Sequence, residues 1–321
     1  MKNQNEQILI SVVIPVYNEA ENLLILHEAL HQVLSALDTT FEIILVDDGS
    51  SDATFSIIKK LHLQHTQVKG LSFSKNFGHQ IALFAGLQHS KGDIVITMDG
   101  DLQHPPSLIP KLLEKYREGY DIVNTRRKDE ASVKYFKKWS SKLYYKLINY
   151  LSEVRIEPAA ADFRLMNRKA VDAYLNIPER DRFTRGLISW MGFKQTIIDY
   201  QAEARAFGQS KFTLRKMLRF GLNGITSFSS RPLRLSFYIG SLISFSGFIY
   251  ALYALYRFIN GNTIEGWTSI LMTLLIIGGA ILINLGIIGE YIARIFNEVK
   301  ARPLYFLKDQ TGIQQESKEN L

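Results

Sequence analysis

Asp99 and Asp101 stand one residue apart in Val95-Ile96-Thr97-Met98-Asp99-Gly100-Asp101-Leu102-Gln103-His104-Pro105-Pro106. The β-branched run before them favours a strand, and the two prolines after them stop it from continuing. Side chains alternate along an extended chain, so both carboxylates are expected on one side of it. Close carboxylates repel unless a cation lies between them. A hard divalent ion, Mg²⁺ or Mn²⁺, suits that place because it bridges carboxylate and diphosphate oxygens. Gln103, two residues further on, adds a neutral oxygen. An isolated Asp-x-Asp is more often a solvated acidic turn. The elements around the pair must decide between the two readings.

Those elements alternate. Apolar runs at residues 8–16, 41–46, 68–73, 93–98 and 120–125 read as strands. Helical patterns fill the gaps, from Asn18 or Glu19 to Leu37, after Ser50-Ser51-Asp52, over 80–88 and over 106–116. Strands and helices at this spacing imply a mainly parallel α/β sheet covered on both faces. Pro15 argues for an edge strand or a strand terminus. The second strand ends in Asp47-Asp48-Gly49-Ser50-Ser51-Asp52-Ala53-Thr54. Gly49 permits a tight turn there, and Ser50, Ser51 or Asp52 can cap the following helix. Carboxylates at a strand's C-terminal end are placed to take ribose hydroxyls or a base edge, although a plain acidic turn has the same composition. Lys75 and His79, after the third strand, are candidates for phosphate contact.

The chain has 321 residues, a net charge of +7 and no cysteine, which rules out disulfides and thiolate metal sites. Neither a zinc-finger spacing nor an arginine-rich arm is present, so the positive balance does not point to nucleic acid. It suits an anionic membrane surface. Residues 235–256 and 269–291 are nearly uncharged apolar stretches, Glu290 being the exception. Each is long enough to span a bilayer. Arg231 and Arg234 precede the first, and Arg294, Lys300 and Arg302 follow the second. The positive-inside rule then puts both ends in the cytoplasm. Residues 1–7 are polar and lack a signal peptide's apolar core, so the first domain is expected to stay in the cytosol. Residues 212–228, with Arg215, Lys216 and Arg219 at the start, read as an interfacial helix. The basic, aromatic stretch 134–151 suits either a membrane interface or a solvated helix. The tail beyond Pro303 is polar and reads as disordered.

In the middle of the chain, Asp162-Phe163-Arg164-Leu165 sets two charges among apolar residues. Buried charges need partners, so Asp162 and Arg164 are expected to pair with each other or with substrate. Arg182, Arg185 and Trp190 mark a further helix, which fits an acceptor side or an ordinary core-packed helix equally well. Arg205, Ser210 and Lys211 surround Gly208 in a loop suited to closing over a phosphate.

Taken together, several pieces resemble the GT-A glycosyltransferases of family 2. They are Val12-Val13-Ile14-Pro15-Val16-Tyr17-Asn18-Glu19, Asp47-Asp48-Gly49-Ser50 with Asp52 and Thr54, and Asp99-Gly100-Asp101. Four more narrow the likeness to polyprenyl-phosphate sugar transferases of the bactoprenol glucosyltransferase and dolichyl-phosphate mannose synthase kind. These are Asp101-Leu102-Gln103-His104-Pro105-Pro106, Ser74-Lys75-Asn76-Phe77-Gly78, Asp162-Phe163-Arg164-Leu165-Met166, and Arg205-Ala206-Phe207-Gly208-Gln209-Ser210-Lys211. The resemblance covers roughly residues 8 to 300.

It implies a GT-A, Rossmann-like mixed sheet with amphipathic interface helices and a two-helix transmembrane hairpin. It implies a metal-dependent, inverting transfer of a sugar, glucose from UDP-glucose, to polyprenyl (undecaprenyl) phosphate. Pro15, Tyr17, Glu19, Asp47, Asp48, Lys75, Asp99 and Gly100 would bind the nucleotide sugar. Asp99, Asp101 and Gln103 would hold Mg²⁺ or Mn²⁺. Asp162, Arg205 and Lys211 would be catalytic, and Arg126, Arg205, Ser210 and Lys211 would meet the acceptor phosphate. The likeness makes Asp162 the candidate base. A lipid phosphate is however already mostly ionised near neutral pH, its second pKa being about 6, so an orienting role stays open.

The expected organisation is a cytosolic catalytic domain over 1–210, a juxtamembrane segment over 211–234, two spans over 235–293 and a cytosolic tail over 294–321. The expected place is the bacterial inner membrane, as a multi-pass protein, and the likeness implies a homotetramer. The alternatives are a processive polysaccharide synthase and a non-catalytic, nucleotide-binding membrane adaptor.

Overall fold

The computed structural model describes residues 8–128, 160–180, 182–201, 229, 231–261 and 266–313. The basic helix expected over 134–151, the interfacial helix over 212–228 and the loop carrying Arg205, Ser210 and Lys211 lie outside the described residues. The chain divides into two compact units, one holding all the strands and the other the two long apolar helices.

The first unit is built on an eight-stranded sheet. Its elements are β1 (Leu9–Val16), α1 (Leu23–Ser35), β2 (Thr40–Asp47), α2 (Thr54–Gln64), β3 (Val68–Phe73), α3 (His79–His89), β4 (Ile94–Thr97), a 3₁₀ turn (Pro106–Leu108), α4 (Ile109–Arg117) and β5 (Ile122–Lys128). They continue with β6 (Ala160–Asn167), α5 (Arg168–Leu175), α6 (Thr184–Trp190), β7 (Gln195–Gln201) and, after the second unit, β8 (Leu307–Thr311). The strand order is β7-β5-β6-β4-β1-β2-β3-β8. Strands β3, β2, β1 and β4 run parallel, as do β5 and β7. β6 is antiparallel to both β4 and β5, which inserts a reversed strand beside the parallel block. The sheet is therefore mixed and mainly parallel, as expected.

Strand alternation explains the two covered faces. Ile10, Val12, Ile14 and Val16 of β1 join Leu23, Leu26, Leu30 and Leu34 of α1 in one buried core. The opposite face meets α3. Gly86 of that helix lies so close to the sheet that a Cβ would fall 2.3 Å from Val13 Cγ1 and 3.0 Å from Val46 Cγ2. Pro15 is not on an edge, since β1 lies between β2 and β4. It sits past the last β1–β4 pair, Val13 with Thr97, so only the reading as a strand terminus holds.

The tail is the main departure from expectation. The described residues beyond Pro303, up to 313, differ from that reading: β8 pairs antiparallel with β3, matching Gly70 with Thr311 and Ser72 with Asp309. Leu-Lys-Asp-Gln-Thr has neither alternation nor enough apolar residues to read as a strand. The open backbone edge of β3 supplies what the sequence pattern lacks, and β8 in turn covers that edge.

The second unit holds α7 (Arg231–Ile259) and α8 (Trp267–Val299). Leu233–Arg257 and Met272–Val299 are long and apolar enough to cross a membrane, with mean hydropathies of 1.6 and 2.2. α8 runs through Arg294 to Val299, so the segment expected as a tail from 294 begins as helix.

A histidine cluster couples α1 to the end of α2. The ring of His27 lies 4.5 Å from that of His65 and 5.7 Å from that of His31, centroid to centroid. Burial, with the like charges of His65 and His31, brings the His27 imidazole down to about 4. A group that titrates lower when folded than when unfolded gives full stability above its unfolded value, and stability drains as pH falls toward the folded value. Between pH 7 and 4.5 the His27 contribution to unfolding free energy should fall by about 2 kcal/mol. His27→Leu should flatten that part of the pH profile, read by denaturant unfolding in detergent. An equal slope in the variant would contradict the account.

Candidate active site

The C-terminal ends of β1, β2 and β4 meet at one rim of the sheet, and hydrogen bonds stitch their loops together. Asn18, in a left-handed conformation (φ 53°), donates its N–H to Ser50 Oγ at 2.9 Å and accepts the Ser51 N–H on Oδ1 at 2.9 Å. Glu19 N–H donates to Thr54 Oγ1 at 3.0 Å, and Ala20 N–H to Asp52 Oδ2 at 3.3 Å. Ser50, Asp52 and Thr54 therefore fasten the first loop to the second. Tyr17 remains exposed beside them, and Pro15 is buried at the strand end.

Asp47 and Asp48 are buried and committed within the protein. Asp47 accepts the Ser50 N–H at 2.9 Å and the Ser72 hydroxyl at 2.8 Å. Asp48 accepts the N–H groups of Phe77 at 2.7 Å and Gly78 at 3.0 Å. Burial pushes the Asp48 carboxyl above the ordinary carboxylate value, against those two hydrogen bonds. This pair therefore shapes the rim through the 74–78 loop, with Lys75 exposed at its surface.

β4 ends at Thr97, so Asp99 and Asp101 do not lie along an extended chain. Residues 100–101 form a turn and Leu102 is left-handed at φ 63°. Gly100 is needed at this point, because a Cβ would stand 2.8 Å from Val16 Cγ1. The turn keeps both carboxylates and Gln103 at the rim by curvature rather than by strand alternation. Asp101 Oδ1 accepts the Gln103 N–H at 3.2 Å, and Gln103 Oε1 accepts from Arg127 Nη1 at 3.4 Å.

Two histidines attend Asp99. His79, the first residue of α3, places Nε2 2.9 Å from Asp99 Oδ1. His104 accepts the Asp99 N–H on Nδ1 at 2.9 Å, which leaves its ring proton on Nε2, 3.6 Å from Asp99 Oδ2. The buried His104 ring is stacked on Phe163 with centroids 5.3 Å apart. Burial alone would raise Asp99, but the hydrogen bond and the charge of His79 prevail and lower it. Burial likewise opposes the charged form of His79, and Asp99 more than offsets it, raising the imidazole.

Asp162 reaches the same rim from β6. Its Oδ1 accepts from Arg164 Nη2 at 2.9 Å and from Arg185 Nε at 3.0 Å, and its Oδ2 accepts from Arg185 Nη2 at 3.0 Å. Burial would raise this carboxyl. The charge and hydrogen bonds of Arg185, then the charge of Arg164, hold it far below the usual carboxylate range. A carboxylate held so firmly ionised is a poor proton acceptor. Of the two partners foreseen for Asp162, Arg164 is confirmed, and Arg185 joins it from α6. Arg126, expected at a phosphate, is bound by Asp199 on the neighbouring strand, with Nε 2.7 Å from Oδ1 and Nη2 3.2 Å from Oδ2.

Ligand atoms of His79, Asp99 and Asp162 all lie within 4.8 Å of one another, a spacing that would admit a metal ion. Both oxygens of Asp162 already accept from guanidinium groups, however, so a cation seated there would meet two fixed positive charges. Asp99, Asp101 and Gln103 offer hard oxygen donors from the adjacent turn, the chemistry Mg²⁺ or Mn²⁺ prefers. The donor set therefore fits a divalent ion, with Asp162 serving the arginines.

Comparison with known proteins bears on this geometry. The family model for glycosyl transferase family 2 matches residues 11–175, and that for the GtrB C-terminal hairpin matches residues 231–295. An uncharacterized glycosyltransferase of Synechocystis is 43% identical over 306 residues, covering 95% of this chain and 96% of that protein. The bactoprenol glucosyl transferase of Shigella phage SfX is 40% identical over 302 residues, covering 94% of this chain and 99% of that protein. Among solved structures, mannosyl-3-phosphoglycerate synthase from Rubrobacter xylanophilus is 18% identical, with a TM-score of 0.47, covering 71% of this chain and 74% of that one.

The buried triad makes a stability prediction. Removing one member of a buried ion pair costs about 3–5 kcal/mol. Asp162→Asn should therefore lower the Tm of the full chain in detergent by several degrees, measured by thermal unfolding. An unchanged Tm would contradict the ion-pair reading of Asp162.

Proposed function

The chain belongs to glycosyl transferase family 2, and from that premise we propose that it moves glucose from UDP-glucose to a polyprenyl phosphate in the bacterial inner membrane. The observation that carries the acceptor is the 40% identity, over nearly the whole of both chains, to proteins named bactoprenol glucosyl transferase. The two apolar helices and the hairpin match agree with a membrane-borne acceptor. The proposed organisation is a catalytic domain over 1–210, a juxtamembrane segment over 211–234, a hairpin over 235–293 and a cytosolic terminal segment over 294–321. Arg231 and Arg234 before the hairpin, and Arg294, Lys300 and Arg302 after it, favour both ends in the cytoplasm. A homotetramer is the proposed assembly.

In this reading Tyr17, Glu19 and the rim built by Asp47 and Asp48 receive the nucleoside. Asp99, Asp101 and Gln103 would hold Mg²⁺ or Mn²⁺, which when bound supplies positive charge to the donor diphosphate. Lys75, with Arg205 and Lys211 beyond the described residues, adds charge around the two phosphates. The acceptor's phosphate oxygen attacks the anomeric carbon as the bond to the nucleotide diphosphate breaks, with inversion. That oxygen is mostly ionised near neutral pH, the second phosphate pKa being about 6. No proton needs to be removed, which agrees with an Asp162 too acidic to serve as a base. Its proposed role is to hold Arg185 toward the reacting groups. Arg126 reaches the acceptor phosphate only by exchanging Asp199 for it.

Transfer of radiolabelled glucose from UDP-glucose to undecaprenyl phosphate in detergent micelles tests the proposal. The wild type should label the lipid, and Asp101→Ala should reduce the rate by roughly 100-fold or more. Wild-type labelling of no polyprenyl phosphate from any nucleotide sugar would overturn the function. Full cation-dependent transfer by Asp101→Ala would overturn the metal assignment.

A further inference from the structure

The 74–78 loop carries Lys75 and leads into His79, and it is gripped from two sides. On one side, Asp48 takes the Phe77 and Gly78 N–H groups. Gly49 presses on the same loop so closely that a Cβ would lie 2.4 Å from the Lys75 carbonyl carbon. On the other side is the segment that leaves α8 and returns to the sheet. The Ser74 N–H donates to the Phe306 carbonyl at 2.9 Å. The Tyr305 ring stacks on Phe73, the last residue of β3, with centroids 4.8 Å apart and planes 22° apart. The Tyr305 hydroxyl donates to Gln88 Oε1 of α3 at 3.0 Å. The Phe306 ring lies 6.4 Å from that of Phe77, over which Lys75 Nζ sits at 5.2 Å.

β8 is polar, and its pairing adds little buried apolar surface. Its aromatic pair falls at the point where β3 ends and the Lys75 loop begins. Resting on the reading that this rim takes a nucleotide sugar, we propose that Tyr305 and Phe306 are positioning residues, which hold the 74–79 segment so that Lys75 and His79 meet the donor diphosphate.

The test uses the full chain in micelles, comparing wild type, Tyr305→Ala, Tyr305→Phe, Lys75→Ala and the Tyr305→Ala/Lys75→Ala double variant. Hydrogen exchange is followed at 74–78, with β1 and β2 as internal controls. KM and kcat are measured with UDP-glucose and undecaprenyl phosphate. Tyr305→Ala should speed exchange at 74–78 by about tenfold and leave β1 and β2 unchanged. It should raise the donor KM by about tenfold, with kcat and the acceptor KM within about threefold. Tyr305→Phe should restore both, since the ring carries the stack. In the double variant the rise in donor KM should fall short of the product of the single effects. Unchanged exchange at 74–78, exchange rising equally in β1 and β2, or multiplicative KM effects would overturn the proposal. A wild type that transfers no sugar, with 74–78 still loosened by Tyr305→Ala, would sink the functional reading and leave the grip of Tyr305 on the loop established.

Discussion

Carboxylates crowded at the end of a sheet must be neutralised, and that constraint organises this rim. Asp99 and Asp162 have ligand atoms within 4.8 Å of each other. Neither could stay ionised there unaided. The fold solves the two cases differently. Asp162 is given two guanidinium groups, one buried on its own strand and one brought by α6. Asp99 is given two imidazoles, His79 from α3 and His104 from its own turn. Guanidinium partners are permanent at any physiological pH, whereas imidazoles are not. Asp162 is thereby locked as a structural anion, and Asp99 is left as the proposed metal ligand.

That division assigns the work. An anion with two fixed cationic partners neither takes up protons readily nor welcomes a metal ion. The neighbouring turn, with Asp99, Asp101 and Gln103, keeps oxygen donors at the rim. The phosphate nucleophile proposed above would make the arrangement sufficient, because such an acceptor brings its own charge. The loops that border the turn are held mainly by one another: Asp52 and Thr54 by the Asn18 loop, Phe77 and Gly78 by Asp48, Ser74 by Phe306. Their shape comes from hydrogen bonds between neighbouring loops and from four positions that take a left-handed backbone or leave no room for a Cβ, Asn18, Gly49, Gly100 and Leu102.

Much of this was legible in the sequence. The strands from β1 to β5 announced themselves through β-branched runs, and their ends fell within a few residues of expectation. The family resemblance placed the acid pair and its neighbours. What escaped were elements whose partners decide their form. β6 reads Ala-Ala-Asp-Phe-Arg-Leu-Met-Asn, a pattern broken by the two charges that prove to pair. β8 has no pattern of its own and exists because β3 has an open edge. His104 drew no role from sequence because nothing local shows that its ring lies between Phe163 and the Asp99 backbone. Arg185 was noticed, but 23 residues separate it from Asp162, and only the fold joins them. Asp47 and Asp48 were recognised as a pair, yet their hydrogen bonds run to loops rather than outward.

Nucleotide binding with and without a divalent ion probes the central claim most directly. Calorimetric titration of the full chain with UDP-glucose should give an affinity at least about tenfold tighter in Mn²⁺ than in EDTA, since the acid pair repels the diphosphate unless a cation intervenes. Equal affinity under the two conditions would contradict the account.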